Sequence, residues 1–327
     1  MMNKKKKNTP ASDCIHCHIC QKNCTFLTKY NIDIGNLKEL KDLAYSCFLC
    51  GKCTEVCPIG IDGRKTVLNF RKERVRENNN KLDESGYSLL VFEKNNYKFK
   101  SYRNAKHKSV IFPGCSFPAH YPELNKYITK LFYKEFNIGC IYDCCGKPIH
   151  ELGLEEKEKN ILDRINKKIE ENGVEEIIMF CPNCYYYLRD HLNARVVNIF
   201  EKLKELGIGK KVKNRISIFS PCPDRYSHII LQNLEYFLEE KPILLNDDQC
   251  CGLGGCAYKK EKELAKNLPQ KIDRDEFIFT YCASCSGSFV RKGFKSRHIL
   301  SEILGIYEEP DTQKSVFNRL KAKMRRL

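Results

Sequence analysis

The chain has 327 residues, 42% of them hydrophobic, which is enough for two or three domains with real cores. Its 20 cysteines are not needed as disulfide staples at this length, so they read as thiols kept reduced, serving first as metal ligands or reactive groups. The formal charge of +16, from 57 Lys and Arg against 41 Asp and Glu, comes with no recognisable nucleic-acid module. It leaves solvated tails, an acidic protein partner or an anionic membrane surface.

Residues 1–12 form a basic tail carrying four consecutive lysines at 4–7, with no apolar stretch behind it. No window approaches the roughly 18 apolar residues of a membrane span. The expectation is a soluble cytoplasmic protein, with peripheral membrane association through a partner and the basic tails as the alternative.

Residues 13–76 hold two runs of the form C-x2-C-x2-C-x3-C: Cys14, Cys17, Cys20, Cys24 and Cys47, Cys50, Cys53, Cys57. Helical segments, 34–47 and 62–78, lie around these turns. Three thiols on one tight loop can hold three corners of a cubane, while the fourth leaves along the exit helix and serves the other cluster in two-cluster ferredoxins. Applied here, one 4Fe-4S cluster takes Cys14, Cys17, Cys20 and Cys57, and the other takes Cys47, Cys50, Cys53 and Cys24. Zinc sites pair two C-x2-C units and have no use for a third cysteine at this spacing. Thr25 stands where the pattern expects proline, whereas Pro58 is in place. His16 and His18 read as partly exposed loop side chains rather than ligands. The head is therefore expected to be a helical dicluster ferredoxin-like domain.

A polar, Asn-rich stretch, 77–108, reads as a linker with at most one short helix. Beyond it the cysteines repeat. The segment SVIFPGC (109–115) answers ISIFSPC (216–222), DCCGKP (143–148) answers QCCGLG (249–254), and IIMFCPNC (177–184) answers FIFTYCASC (277–285). The offsets of 107, 106 and 101 residues at these landmarks argue an internal duplication, 109–213 and 214–308. Short β-branched and aromatic runs stopping at cysteines alternate with helical segments, 121–136 and 224–240, which predicts parallel sheets with the cysteines just past the carboxyl ends of the strands. Residues 309–327 read as a second basic tail.

Each repeat supplies a lone cysteine, an adjacent Cys-Cys-Gly and a terminal C-x2-C, five thiols where a cubane needs four. These residues resemble the cysteine-rich CCG-domain iron–sulfur proteins, typified by the disulfide-cleaving subunit of heterodisulfide reductase and the iron–sulfur subunits of glycolate, lactate and anaerobic glycerol-3-phosphate dehydrogenases. The head resembles the helical dicluster subunit of heterodisulfide reductase, so the chain looks like a fusion of the two heterodisulfide reductase polypeptides. The resemblance implies an α+β multidomain fold, the helical head followed by two duplicated α/β CCG domains. It also implies up to two noncubane 4Fe-4S clusters, on Cys115, Cys144, Cys145, Cys181 and Cys184, and on Cys222, Cys250, Cys251, Cys282 and Cys285. One noncubane cluster with a cubane or an empty site, or a relict body with one cluster or none, are the alternatives.

Outside these sets, Cys140 reads as a small buried hydrophobe and Cys256 as an ordinary thiol, with a substrate-attacking or gating role as its alternative. Gly146, Gly252, Gly254 and Gly255 are expected to let backbone N–H groups approach sulfur. Tyr185, Tyr186 and Tyr187 should open a helix and pack. His120, His150 and His191 read as surface histidines.

The resulting function is an iron–sulfur electron-transfer subunit of an oxidoreductase complex, carrying electrons from a flavoprotein partner through two cubanes to the CCG sites. The alternative is a heterodisulfide reductase-like catalyst that cleaves a disulfide substrate at noncubane clusters, with Cys145 and Cys251 as catalytic thiols. A cluster-carrying regulator or assembly protein is a third class. No GxGxxG fingerprint or Walker A loop is present, so a two-electron donor must be separate.

Overall fold

A computed structural model describes residues 9–245 and 248–327; the four lysines of the N-terminal tail lie outside the described residues. The chain divides into two compact units. The first takes the described residues of Met1–Val91, Pro148–Glu156 and Asp247–Lys271, and the second takes those of Phe92–Lys147, Lys157–Asn246 and Ile272–Leu327.

The first unit is helical. Short helices Ile19–Lys22, Thr25–Lys29, Leu37–Asp42 and Lys52–Val56 lead to the long helix Gly63–Glu77. That helix starts where the Asp62 side chain accepts the Lys65 N–H, and it ends with Arg74 and Arg76 in its last turn, where cations favour the helix dipole. Phe26, Leu27, Leu40, Ala44, Ile61 and Val67 close the core beneath the cysteine loops. The helix expected over 34–47 is shorter than its periodicity suggests. It stops at Asp42 and resumes as a single 3-10 turn, Ala44–Ser46, that presents Cys47 in extended geometry.

The second unit contains both sheets. The strands are β1 (Ser101–Asn104), β2 (Ser109–Phe112), β3 (Gly139–Tyr142), β4 (Glu176–Met179), β5 (Arg195–Asn198), β6 (Ser217–Phe219), β7 (Ile243–Leu244), β8 (Phe277–Thr280) and β9 (Lys295–His298). One sheet has the order β1-β3-β2-β4-β5 and the other β7-β6-β8-β9. Leaving β1 aside, both follow one plan, second-first-third-fourth, with parallel pairing throughout. The duplication inferred from cysteine spacing is thus a duplication of topology. Strands β3 and β4 are buried along their whole length, as expected of parallel strands covered on both faces.

Two stretches read as connector and tail carry structure. The segment 77–108 holds the helix Ser88–Asn95 and then β1, which pairs antiparallel with β3 and extends the first sheet. The residues read as a C-terminal tail form a helix, Ser315–Met324, whose Asn318 and Ala322 are buried. Its start is fixed by the Asp311 side chain, which accepts the N–H groups of Gln313 and Lys314 at 2.9 Å each.

Candidate metal centres

In the first unit the two triple-cysteine loops are wound alike. The residues two and four places after the opening cysteine are left-handed in both: His16 (φ 48°) and His18 (φ 58°) after Cys14, Leu49 (φ 48°) and Gly51 (φ 77°) after Cys47. This turn aims backbone donors at sulfur. His16 N–H donates to Cys14 Sγ and Leu49 N–H to Cys47 Sγ, each at 3.4 Å, and Ile61 N–H donates to Cys57 Sγ at 3.3 Å. Such donors stabilise a thiolate and tune a thiolate bound to metal. Positive φ is uncommon for residues other than glycine. In the first loop the histidines are held there by the buried Asp33, whose carboxylate meets His16 Nδ1 at 3.0 Å and His18 Nδ1 at 3.3 Å. Both imidazoles are more than half exposed.

The folding of these loops brings the eight thiols together in two groups. Cys14, Cys17, Cys20 and Cys57 line one cavity with Ile34, Ile59 and Ile61. Cys24, Cys47, Cys50 and Cys53 gather separately: burial raises Cys24 well above the usual thiol range, with Cys50 and Cys47 adding to it, and burial raises Cys53 with Cys24, Cys47 and Cys50 adding. Burial also pushes Cys20 and Cys47 up to about 11. Such crowded thiols repel one another as anions, so without a cation they hold their protons. An all-sulfur donor set in an apolar setting with N–H groups aimed at sulfur fits an iron–sulfur cluster at each group.

The second group is fastened by Arg71. This fully buried side chain donates to the carbonyls of Ala44 (3.0 and 2.9 Å), Cys47 (2.7 Å), Glu151 (2.6 Å) and Gly255 (2.7 Å). It therefore joins the Cys47 loop to the segment after each double cysteine. Gly255 lies so close that a Cβ on it would stand 2.5 Å from the Cys47 carbonyl, and its φ is 60°. Gly252, with φ 83°, donates its N–H to Cys250 Sγ at 3.4 Å. Nothing in the sequence separates Arg71 from its neighbours Arg74 and Arg76.

In the second unit the predicted cysteines follow their strands: Cys115 after β2, Cys144 and Cys145 after β3, Cys181 and Cys184 after β4, Cys222 after β6, and Cys282 and Cys285 after β8. Seven of these thiols are hydrogen-bonded in series, in the order Cys115, Cys144, Cys145, Cys184, Cys181, Cys282, Cys285. Cys145 and Cys181 each accept from both neighbours in the row, while Cys144 accepts from Cys115 and Cys282 from Cys285. Thiols of Cys144 and Cys184 hold Cys145 well below the usual range, and those of Cys184 and Cys282 do the same for Cys181. The first five members are the set implied for the first repeat, and the last two come from the second. Of the remaining thiols of the second repeat, Cys250 and Cys251 belong to the first unit and Cys222 to the second.

The first double cysteine is clamped by the buried Asp143, which accepts Cys144 N–H at 2.7 Å, Tyr102 Oη–H at 2.9 Å and Arg164 Nη2 at 3.2 Å. Burial raises the Asp143 carboxyl, and Arg164 opposes that rise. Neither Tyr102 nor Arg164 was singled out by spacing, since each comes from an element without cysteines. Desolvation of the half-buried Lys94 is outweighed by the charges of Cys115 and Cys144, so its pKa is raised.

The residues outside the ligand sets are placed as follows. Cys140 is buried on β3, and burial pushes its thiol up to about 12. Cys256 is buried at a left-handed position, φ 56°. Tyr185, Tyr186 and Tyr187 lie in the helix Pro182–Leu188, with Tyr185 and Tyr187 buried. His191 is exposed and His150 half-buried, but His120 is buried, with its Nδ1 at 2.8 Å from the Asp311 carbonyl. The surface expectation fails for His120 because the C-terminal segment covers it. Sequence reasoning passed over His298, at the end of β9. It is fully buried against Phe117 and Tyr121, and burial lowers its pKa to about 3.

The model of the cysteine-rich CCG domain matches residues 109–189 and again 217–290. The chain carries two CCG domains. Each match begins at or near the first parallel strand of a repeat and reaches past its terminal C-x2-C pair. Among curated proteins, the CCG-domain chain is 26% identical over 303 residues to an uncharacterised iron–sulfur protein of Methanocaldococcus jannaschii, covering 83% of this chain and 60% of that protein. It is 23% identical over 313 residues to one of the subunits of the fumarate reductase (CoM/CoB) of Methanothermobacter marburgensis, covering 79% and 62%. It is 21% identical over 327 residues to one of the subunits of the dihydromethanophenazine:CoB–CoM heterodisulfide reductase of Methanosarcina barkeri, covering 84% and 80%. The chain thus spans about three fifths of the length of the first two of these relatives. No solved structure matches it significantly.

Proposed function

We propose that this CCG-domain protein is an iron–sulfur electron-transfer subunit of an oxidoreductase complex. In this reading a flavoprotein partner delivers electrons to two 4Fe-4S cubanes in the helical unit, from which they pass to cluster sites in the CCG domains. The observation that carries it is the gathering of thiols into distinct sets: two groups of four on loops of identical winding, and the row of seven in the second unit. The names of the relatives, which include subunits of a fumarate reductase and a heterodisulfide reductase, support a role within a complex.

Bound clusters would supply one-electron steps. Cys14, Cys17, Cys20 and Cys57 would hold one cubane and Cys24, Cys47, Cys50 and Cys53 the other, with the N–H groups of His16, Leu49 and Ile61 donating to ligand sulfur. Cys115, Cys144, Cys145, Cys181 and Cys184 would hold a noncubane cluster. Asp143 and Arg164 would keep the double cysteine in place.

A second reading, reduction of a disulfide substrate, draws support from one contact. Cys181 of the first repeat and Cys282 of the second are hydrogen-bonded, so thiols from both repeats share one row. Catalysis would then rest on Cys145, a member of that row, whereas Cys251 belongs to the first unit and stands outside it. The two readings part in one experiment. Anaerobic protein reduced by a viologen dye is offered a panel of disulfides, and separately receives electrons from its flavoprotein partner. Electron transfer alone predicts partner-driven reduction that Cys17→Ala interrupts, with no disulfide turnover; turnover lost in Cys145→Ala would replace that reading with the catalytic one. Failure of the purified protein to hold iron and acid-labile sulfide would sink both.

A further inference from the structure

The helix Ser315–Met324 is packed inside out. Its small and polar residues face the rest of the second unit: Asn318 Nδ2 donates to the Ala119 carbonyl at 3.0 Å and to Asp311 Oδ2 at 2.9 Å, Ala322 is buried, and Arg319 pairs with Glu93. Lys323 Nζ donates to the Lys98 carbonyl at 2.9 Å. Its large apolar residues point outward, with Val316 62%, Phe317 52%, Leu320 43% and Met324 64% exposed. At 3.6 residues per turn these four occupy an arc of about 100°. A contiguous apolar ridge of this kind marks an interaction surface.

The surrounding charge selects the occupant. From Thr312 to Leu327 the basic residues are Lys314, Arg319, Lys321, Lys323, Arg325 and Arg326, and there is no acidic residue. Lys321 and Arg326 are exposed, and Lys321 Nζ lies 4.4 Å from the centre of the Phe317 ring, an apolar stem with its charge beside the ridge. A second copy of the chain would oppose like charges across such a contact. No helix of the described residues is long and apolar enough to cross a membrane. An apolar ridge flanked by cations, on a helix of ten residues lying along the surface, has the chemistry of an interfacial helix.

We propose that this face seats the protein on an anionic lipid surface, with Val316, Phe317, Leu320 and Met324 in the headgroup layer and Lys314, Lys321 and Arg326 on lipid phosphates. The full chain, purified anaerobically, is tested by flotation with vesicles of phosphatidylcholine alone and with one third phosphatidylglycerol. The expected result is binding to the anionic vesicles only, weakened by salt. The double variant F317S/L320S should lower the partition by about tenfold, and K321Q/R326Q should weaken it and flatten its salt dependence, since each replaced cation adds to the attraction to anionic lipid. All these side chains point outward, and unchanged circular dichroism and iron content verify that the fold survives. Binding to both vesicle types or to neither, or variants that bind like the parent, would overturn the proposal. So would self-association, or burial of the face under an acidic protein partner, if either is abolished by F317S/L320S while anionic vesicles fail to bind.

Discussion

Arg71 is a buried cation with no carboxylate among its hydrogen-bond partners in the described residues; its charge is met by carbonyl dipoles and by the Tyr45 ring, 5.0 Å from its guanidinium carbon. Replacing it with methionine keeps the apolar stem but leaves four carbonyls without their donor, at a cost of about 3–5 kcal/mol. Lysine cannot restore the fork. A urea titration of Arg71→Met should show the drop in stability together with loss of about one cluster's iron, because the Cys47 loop hangs from this side chain. A midpoint close to the parent's would refute the role. His298 gives a second prediction. Its folded-state pKa near 3 lies below the ordinary value of 6.5, so the unfolded chain takes up the proton first. Its contribution is complete above pH about 6.5 and is lost toward pH 3, at up to about 1.4 kcal/mol per pH unit. His298→Phe should flatten that acid limb of the stability curve, and because it removes the Nδ1 that accepts the Leu300 N–H at 3.3 Å it should also lower the neutral plateau by about 1–3 kcal/mol. Neither residue could be picked from the sequence, because burial makes each what it is and neither carries a motif.

At the scale of elements, the two double-cysteine loops are held by different devices. Asp143 and Arg164 clamp the first, and the close approach of Gly255 to the Cys47 carbonyl positions the residues after the second. Gly255→Ala meets both a clash and a left-handed φ, so it should cost at least about 1–3 kcal/mol, read as a lower thermal midpoint. Asp143→Ala strands Arg164 and the Cys144 N–H and should lower iron occupancy more than stability, which iron analysis against denaturation separates. Parallel strands and their duplication, though not their order in each sheet, were legible because apolar runs ending at cysteines recur with nearly constant offsets. Strand β1 was not: its sequence SYRN is short and polar, and pairing with β3 makes it a strand. The C-terminal helix escaped for the opposite reason. Its apolar stripe faces away from the core, so composition offered only its charge.

For the whole molecule, spacing pointed to the thiols that lie together in the helical unit, the five-cysteine sets of the repeats came only with the resemblance, and the grouping of chain segments into units was not legible. The head at 13–76 looks self-contained, yet its unit also takes in Pro148–Glu156 and Asp247–Lys271. Those segments carry little periodicity, and their place is set by long-range partners such as Glu261, which accepts from Lys29 Nζ and from Tyr30 Oη at 2.7 Å each. With four clusters the anaerobic protein should contain about sixteen irons per chain, and occupancy of the helical unit alone would leave about eight. Cys50→Ser should remove or convert one cubane and leave the signals of the CCG domains intact. Loss of all iron on that single change would contradict independent sites.

The partners of Arg71 also set an order of events during synthesis. The residue leaves the ribosome 184 positions before Gly255, its last acceptor. At ordinary translation speed that separation lasts on the order of ten to forty seconds. During that interval the first eight cysteines are already outside while the lining that will enclose Arg71 is still unmade. Until Gly255 has emerged, Arg71 lacks the last of the four carbonyls that its guanidinium is bonded to.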